Sequence, residues 1–386
     1  MKRTSIFSSL IFVVLFLLPF VGASAHPASG IVVDRSGQLY FSDLETVWKL
    51  DARGRLSVFR PGVSGRHVHE LTIDEAGNIY GADISYVPAS VKWIQAVWRM
   101  TPEGQQTFLV NPTDQPPRAA SIWRDREGNS FFVEQDNHRK RETLLLRRTP
   151  AGEVSIVAGG PFGFADGKGT EARFGSIGGM TLAPDGSLYV TDGNAVRRVE
   201  MNGTVRTLAK NLNADMPDIS TKESAHHVTL MGLAVGTGGS VFAADHENRR
   251  VLQINADGKA ATFLRADSPW TPTGVATDDD GSVYVLEISF TPPGTYKGPR
   301  VRKVTPDCKA TIVATVGEPG ARSERQTSRT QEEPSQPGVE EASAPAPSHP
   351  ARLMRLITPA LIICLGLVAA GVFIRRRRQT TSQTGD

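Results

Sequence analysis

The chain has 386 residues, 39% of them hydrophobic and 22% charged, with a formal net charge of +3, which is ordinary globular composition except at the two ends. Over 26–317 the 32 Lys and Arg are matched by 33 Asp and Glu, so the positive excess sits at the ends and does not argue for a nucleic-acid-binding surface. Cys308 and Cys364 fall in segments that cannot meet in a disulfide, which excludes a stapled scaffold and leaves a hydrophobic core to hold the fold.

At the N-terminus Lys2 and Arg3 precede an apolar run over 6–20, and Ala23-Ser24-Ala25 supplies a small-x-small cleavage pattern. The spacing predicts a signal peptide over 1–25 and an exported chain beginning at His26. An uncleaved anchor is the alternative, although the apolar run is short for a spanning helix.

From 26 to 317 one pattern repeats six times. Each unit opens with a short apolar run, makes a tight turn of Asp-x-x-Gly type, and continues into a second apolar-aromatic run, as in 31–43, 71–83, 121–134, 180–192, 233–245 and 275–287. The turn glycines are Gly37, Gly77, Gly128, Gly186, Gly239 and Gly281, placed where the backbone needs positive φ. A third run, a second turn and a fourth run follow each time, giving four antiparallel strands per unit. Such a sheet has two faces that one unit cannot cover, so the units must bury one another. The predicted fold is therefore all-β, a six-bladed β-propeller. Because 26–317 begins with a first strand and ends with a fourth, the strand count leaves the manner of ring closure open, with packing rather than a shared blade as one route.

The stretch from Gly163 to Gly193, reading GFADGKGTEARFGSIGGMTLAPDGSLYVTDG, and the strand pair beginning at Ala195 resemble the NHL repeat. The resemblance covers about 26–317 and is sharpest there. It is weaker in the third unit, which has Trp123-Arg124 in its first strand and Glu134 where Asp is usual, and in the second and sixth, which carry insertions. The resemblance implies an NHL-type propeller, an architecture shared by binding platforms, lactonase-like hydrolases and amidating lyases. It supplies no full ligand set for either enzyme type.

Beyond 317 the composition changes. Residues 318–352, rich in Glu, Pro, Ser and Ala, read as an extended linker. Residues 353–374 contain the charge-free stretch 356–374 and read as a single transmembrane helix, with the tail 375–386 opening on four arginines that favour the cytoplasm. A cleaved sorting tail is the competing reading. Together the ends predict a single-pass membrane protein with an extracytoplasmic propeller.

Three constellations bear on chemistry. Asp43, Asp83, Glu134, Asp192, Asp245 and Glu287 stand six residues after the turn glycines. An acid repeated in every unit reads as a structural acceptor for backbone N–H groups rather than a cation ring. His67, His69 and Glu70 near the first strand of the second unit, with His226 and His227 before that of the fifth, are candidate ligands for a divalent ion, zinc or calcium, in the channel; the alternative is surface-loop histidines. His246 and His138 are weaker candidates. The insertions 84–97 and 289–300 present Tyr86, Trp93, Phe290 and Tyr296, a candidate face for a protein or small-molecule partner, the alternative being packing over the adjoining unit. The leading expectation is a binding module, and the second a metal-dependent hydrolase or lyase.

Overall fold

The computed structural model describes residues 30–115, 122–136, 141–212, 230–289 and 297–317. All of them belong to one unit, Met1–Ser323. The predicted signal peptide, linker, transmembrane helix and tail lie outside the described residues, as do His138, His226, His227, Phe290 and Tyr296. Among the described residues no helix is long and apolar enough to cross a membrane.

Six antiparallel sheets follow one another along the chain, and within each the four main strands pair with their sequence neighbours. The inner strands are Ile31–Val33, Arg66–Ile73, Trp123–Arg124, Ile177–Leu182, Leu230–Val235 and Trp270–Thr277. Five blades have four strands, and the fourth blade gains a fifth, Gly167–Lys168, on the outer edge beside Thr204–Ala209. The fold is the predicted six-bladed propeller.

The turns explain the regularity. In blade 1, Asp34 Oδ1 accepts from the backbone N–H of Ser36 and of Gln38, both at 2.9 Å, while Gly37 takes φ 76° and donates to Asp34 O. A carboxylate that substitutes for a backbone acceptor, followed by a residue free to adopt positive φ, reverses the chain without strain.

Between the blades lie six apolar clusters, one per seam among the described residues. The seam of blades 3 and 4 is rich, with Phe131, Leu145, Phe174, Met180 and Leu188. The seam that closes the ring joins Ile31, Leu39 and Phe41 of blade 1 to Tyr284, Leu286 and Val301 of blade 6. Among the described residues blades 1 and 6 share no strand, and this apolar seam is what joins them. The seam of blades 2 and 3 is thin, with Tyr80, Val97 and Ile122 as its buried members.

Antiparallel connectivity puts the first-to-second and third-to-fourth turns on one face and the remaining connections on the other. The first-to-second turns, 34–38, 74–78, 125–129, 183–187, 236–240 and 278–282, are of one length throughout. The opposite set varies from the two residues 193–194 to the long connections between blades. Uniform turns satisfy the fold, and variable connections are where function concentrates.

Candidate functional site

The variable face and the channel below it hold the predicted residues that the structure describes. His67, His69 and Glu70 all lie in the inner strand of blade 2, Arg66–Ile73. The register against its neighbour slips between Val68 and Leu71, so that His69 and Glu70 together oppose Ala82. A bulge of this kind re-aims side chains. Blades 4 and 5 slip at the corresponding place, between Ile177 and Met180 and between Leu230 and Leu233.

Counted back from the turn glycine, Glu70 occupies the place of Gly30, Gly179, Gly232 and Gly274. Those glycines are required. A Cβ on Gly30 would stand 2.9 Å from Leu71 N, and one on Gly232 would stand 2.8 Å from Gly274 Cα, because neighbouring inner strands approach backbone to backbone. Blade 2 carries a glutamate at this place, and the described part of the neighbouring inner strand, in blade 3, is Trp123–Arg124. The Glu70 carboxyl is hydrogen-bonded by the Trp123 side chain. Burial pushes its pKa up to about 7, against the opposing pull of that hydrogen bond.

His67 and His69 meet edge to face with ring centroids 5.8 Å apart. A carboxyl pushed up to about 7 can take up or release a proton near neutrality, and it stands in the same strand as the two imidazoles. They are also donor types that zinc accepts. Among the described residues, however, no three His, Cys, Asp or Glu side chains converge as a metal site. His246, on the connection after the second strand of blade 5, is a separate feature. Burial lowers its pKa, and its carbonyl accepts from Thr271 Oγ1 at 2.5 Å.

The repeated acids are structural, but backbone N–H groups are only part of their role. Asp43 accepts from the backbone of Glu45 and Thr46 and from the Trp48 indole. Asp192 accepts from Gly175 N and Ser176 N and also pairs with Arg197 at 2.7 Å. Asp83 pairs with Arg60 at 2.6 Å, Asp245 with Arg250 at 2.7 Å, and Glu287 with Arg300 at 2.6 Å. Arg197 shows what these pairs achieve. It reaches Asp166 at 2.9 Å and the Ala165 carbonyl at 2.8 Å, and it stacks 4.2 Å from the Phe164 ring, tying the connection that enters blade 4 to the middle of its sheet.

The insertion over 84–97 is a β-ribbon rather than a loop. Strands Ile79–Val87 and Lys92–Met100 stay paired to their tips, with Tyr86 opposite Trp93 and Val87 opposite Lys92. Alternating β-branched and aromatic residues extend the ladder, and Pro88 sits in the turn. The Tyr86 and Trp93 rings lie 5.1 Å apart. With Val91 they remain 44%, 58% and 75% exposed, so they are not spent on packing over the adjoining blade.

No family model matches the chain. Among curated proteins it is similar to Teneurin-m of Drosophila melanogaster, 33% identical over 90 residues, which is 23% of this chain and 3% of that protein. It is also similar to Teneurin-3 of Mus musculus, 23% identical over 284 residues, 62% of this chain and 10% of that protein. The chain thus matches a tenth or less of the length of these relatives. Of solved structures, virginiamycin B lyase from Staphylococcus aureus aligns at a TM-score of 0.44 with 14% identity, covering 74% of this chain and 84% of the lyase. An aldose sugar dehydrogenase from Streptomyces coelicolor aligns at 0.45 with 14% identity, covering 72% of this chain and 93% of the dehydrogenase.

Proposed function

We propose that this chain is an NHL-type propeller acting as a binding module outside the cytoplasm, tethered to a membrane through 353–374, and that its partner, a protein or small-molecule ligand, docks on the variable face. The observation that carries the reading is the ribbon bearing Tyr86, Val91 and Trp93, whose exposed rings are held on a fully paired ladder. Rigid aromatics that are already ordered lose little entropy on contact and are favoured at the centres of interfaces. The NHL assignment draws support from the Phe164-Ala165-Asp166 connection, whose residues clasp Arg197 and Thr207. The export reading rests on the sequence of the two ends.

A photo-reactive residue at position 93 of the full-length chain, expressed in its native cell, tests the docking face. A discrete adduct that disappears in Tyr86→Ser supports it. Equal labelling from a probe at Arg53, on the turn face, refutes it. Protease treatment of intact cells tests topology, since an extracytoplasmic propeller is cut and a cytoplasmic one is spared.

Glu70 with His67 and His69 favours a second reading, a hydrolase or lyase working in the channel with a divalent ion such as zinc or calcium. Elemental analysis of the purified chain decides for it if metal is retained stoichiometrically and is lost in His69→Ala.

A further inference from the structure

The thin seam between blades 2 and 3 breaks the repeat in one row. Three cross-strand positions run across the inner, second and third strands next to the turn face. They are Ile73, Ile79 and Met100 in blade 2; Leu182, Leu188 and Val199 in blade 4; Val235, Val241 and Ile254 in blade 5. Blades 1 and 6 hold Val33, Leu39, Leu50 and Thr277, Val283, Val304. In blade 3 the same row is Arg124, Ser130 and Arg148. Cross-strand neighbours share one face of a sheet, so two guanidinium groups flank a buried serine where every other blade places side chains that close the core.

The facing wall adds a third cation. Arg99 is the cross-strand partner of Tyr80, which faces blade 3 within the seam cluster. Arg124 lies 5.6 Å from the Tyr80 ring, and burial first, then the charges of Arg148 and Arg99, lowers its pKa. Arg99 and Arg124 are half-buried and Arg148 is exposed at the rim of the seam; like charges brought together there repel, and a counter-charge relieves them.

Among the described residues no carboxylate pairs with them. In blades 4 and 6 the basic residue at the Arg99 place pairs with the turn aspartate, Arg198 with Asp185 at 2.7 Å and Lys303 with Asp278 at 3.7 Å. In blade 2 the corresponding Asp74 is occupied otherwise, accepting from Asn78 Nδ2 at 2.8 Å and from the Tyr80 hydroxyl at 2.9 Å. Glu75, the next carboxylate, pairs with Arg126 and with Arg35. Among the described residues Arg99, Arg124 and Arg148 enter no ion pair, and the Nε atoms of Arg99 and Arg124 are buried without a hydrogen-bond partner.

We propose that this seam is an anion-binding site in which Arg99, Arg124 and Arg148 hold a tetrahedral oxyanion of phosphate or sulfate type, free or as a monoester. Planar guanidinium forks suit such oxygens, and three of them balance a dianion that one could not.

The full-length chain is titrated calorimetrically with inorganic phosphate, inorganic sulfate and glycerol 1-phosphate, and its thermal unfolding is followed in each against chloride at equal ionic strength. Binding of one anion per chain and a Tm raised by several degrees are expected. Preference between phosphate and sulfate identifies the natural group, and binding of the monoester shows that the site takes an esterified one. Arg124→Leu abolishes binding, and the fold accepts it because leucine occupies that place in blade 4. The triple variant R124L/S130L/R148V restores the repeat and is expected to melt higher than the wild type without anion while no longer responding to it. Equal effects of phosphate, sulfate and chloride, an unchanged response in Arg124→Leu, or a triple variant that melts lower each overturn the assignment.

Discussion

The seams on the two sides of blade 3 are built from the same repeat and solve different problems. Toward blade 4, Phe131, Leu145 and Phe174 interlock with Met180 and Leu188, and a fully buried Arg197 is neutralised by Asp192 and Asp166. Toward blade 2, the apolar row is replaced by Arg124, Ser130 and Arg148, and a glutamate stands where other inner strands need glycine. The first seam spends its residues on cohesion. The second carries charge that its own partners leave uncompensated, and this contrast separates architecture from candidate chemistry more clearly than any single motif.

The contrast can be broken from its strongest side first. Arg197→Leu leaves Asp192 without its guanidinium partner in a buried site, and chemical denaturation is expected to show a loss of about 3–5 kcal/mol. Next in size is the pH dependence of Glu70. Its folded pKa of about 7 stands above its ordinary value of 4.5, so the folded state binds more protons between those pH values. Its contribution is present in full below pH 4.5 and is lost as pH rises through 7, about 3 kcal/mol in all. Glu70→Gln, compared with wild type in denaturation curves at pH 5 and pH 8, is expected to remove that difference.

A smaller test asks whether the inner strands really differ in room. Gly179→Ala pushes a Cβ into the Met231 carbonyl and is expected to cost about 2 kcal/mol, whereas Glu70→Gly at the matching place of blade 2 is expected to cost about 1 kcal/mol or less. Similar losses at both positions would show that the seam of blades 2 and 3 is as tight as the others. Smallest is Trp93→Ala, which touches an exposed ribbon. Its stability is expected to stay within about 0.5 kcal/mol of wild type, while a contact role predicts that partner cross-linking at a probe placed at Tyr86 falls to background.

Much of the fold was legible because turns are local. Asp-x-x-Gly reports its own geometry, and four copies of it, with Ala183-Pro184-Asp185-Gly186 and Gly236-Thr237-Gly238-Gly239 at the same place in the other two units, leave little choice of architecture. The site was only partly legible. Glu70 was visible as an acid beside two histidines, but its elevated pKa depends on Trp123, a residue from the next blade. The row Arg124, Ser130 and Arg148 could have been found by aligning the repeats residue by residue, since each member replaces an apolar residue in the other blades or, once, a threonine. Read along the chain, arginines near turns look like ordinary solvated charges. The insertion over 84–97 carried strand-forming residues, yet whether they paired with each other or folded over the blade was a question of partners that local pattern does not answer.

The sequence by itself determined that four-stranded units alternate with tight turns, that there are six of them, and that no unit can bury both of its faces alone. Those properties follow from backbone geometry and from the period of apolar residues, which act over a few positions. Tertiary structure alone decided which side chains from different blades share a seam, which acid meets which arginine, and where a cluster of cations is left without an answering charge. Such contacts join residues distant in the chain, and their energies depend on burial and on distances that exist only once the ring has closed.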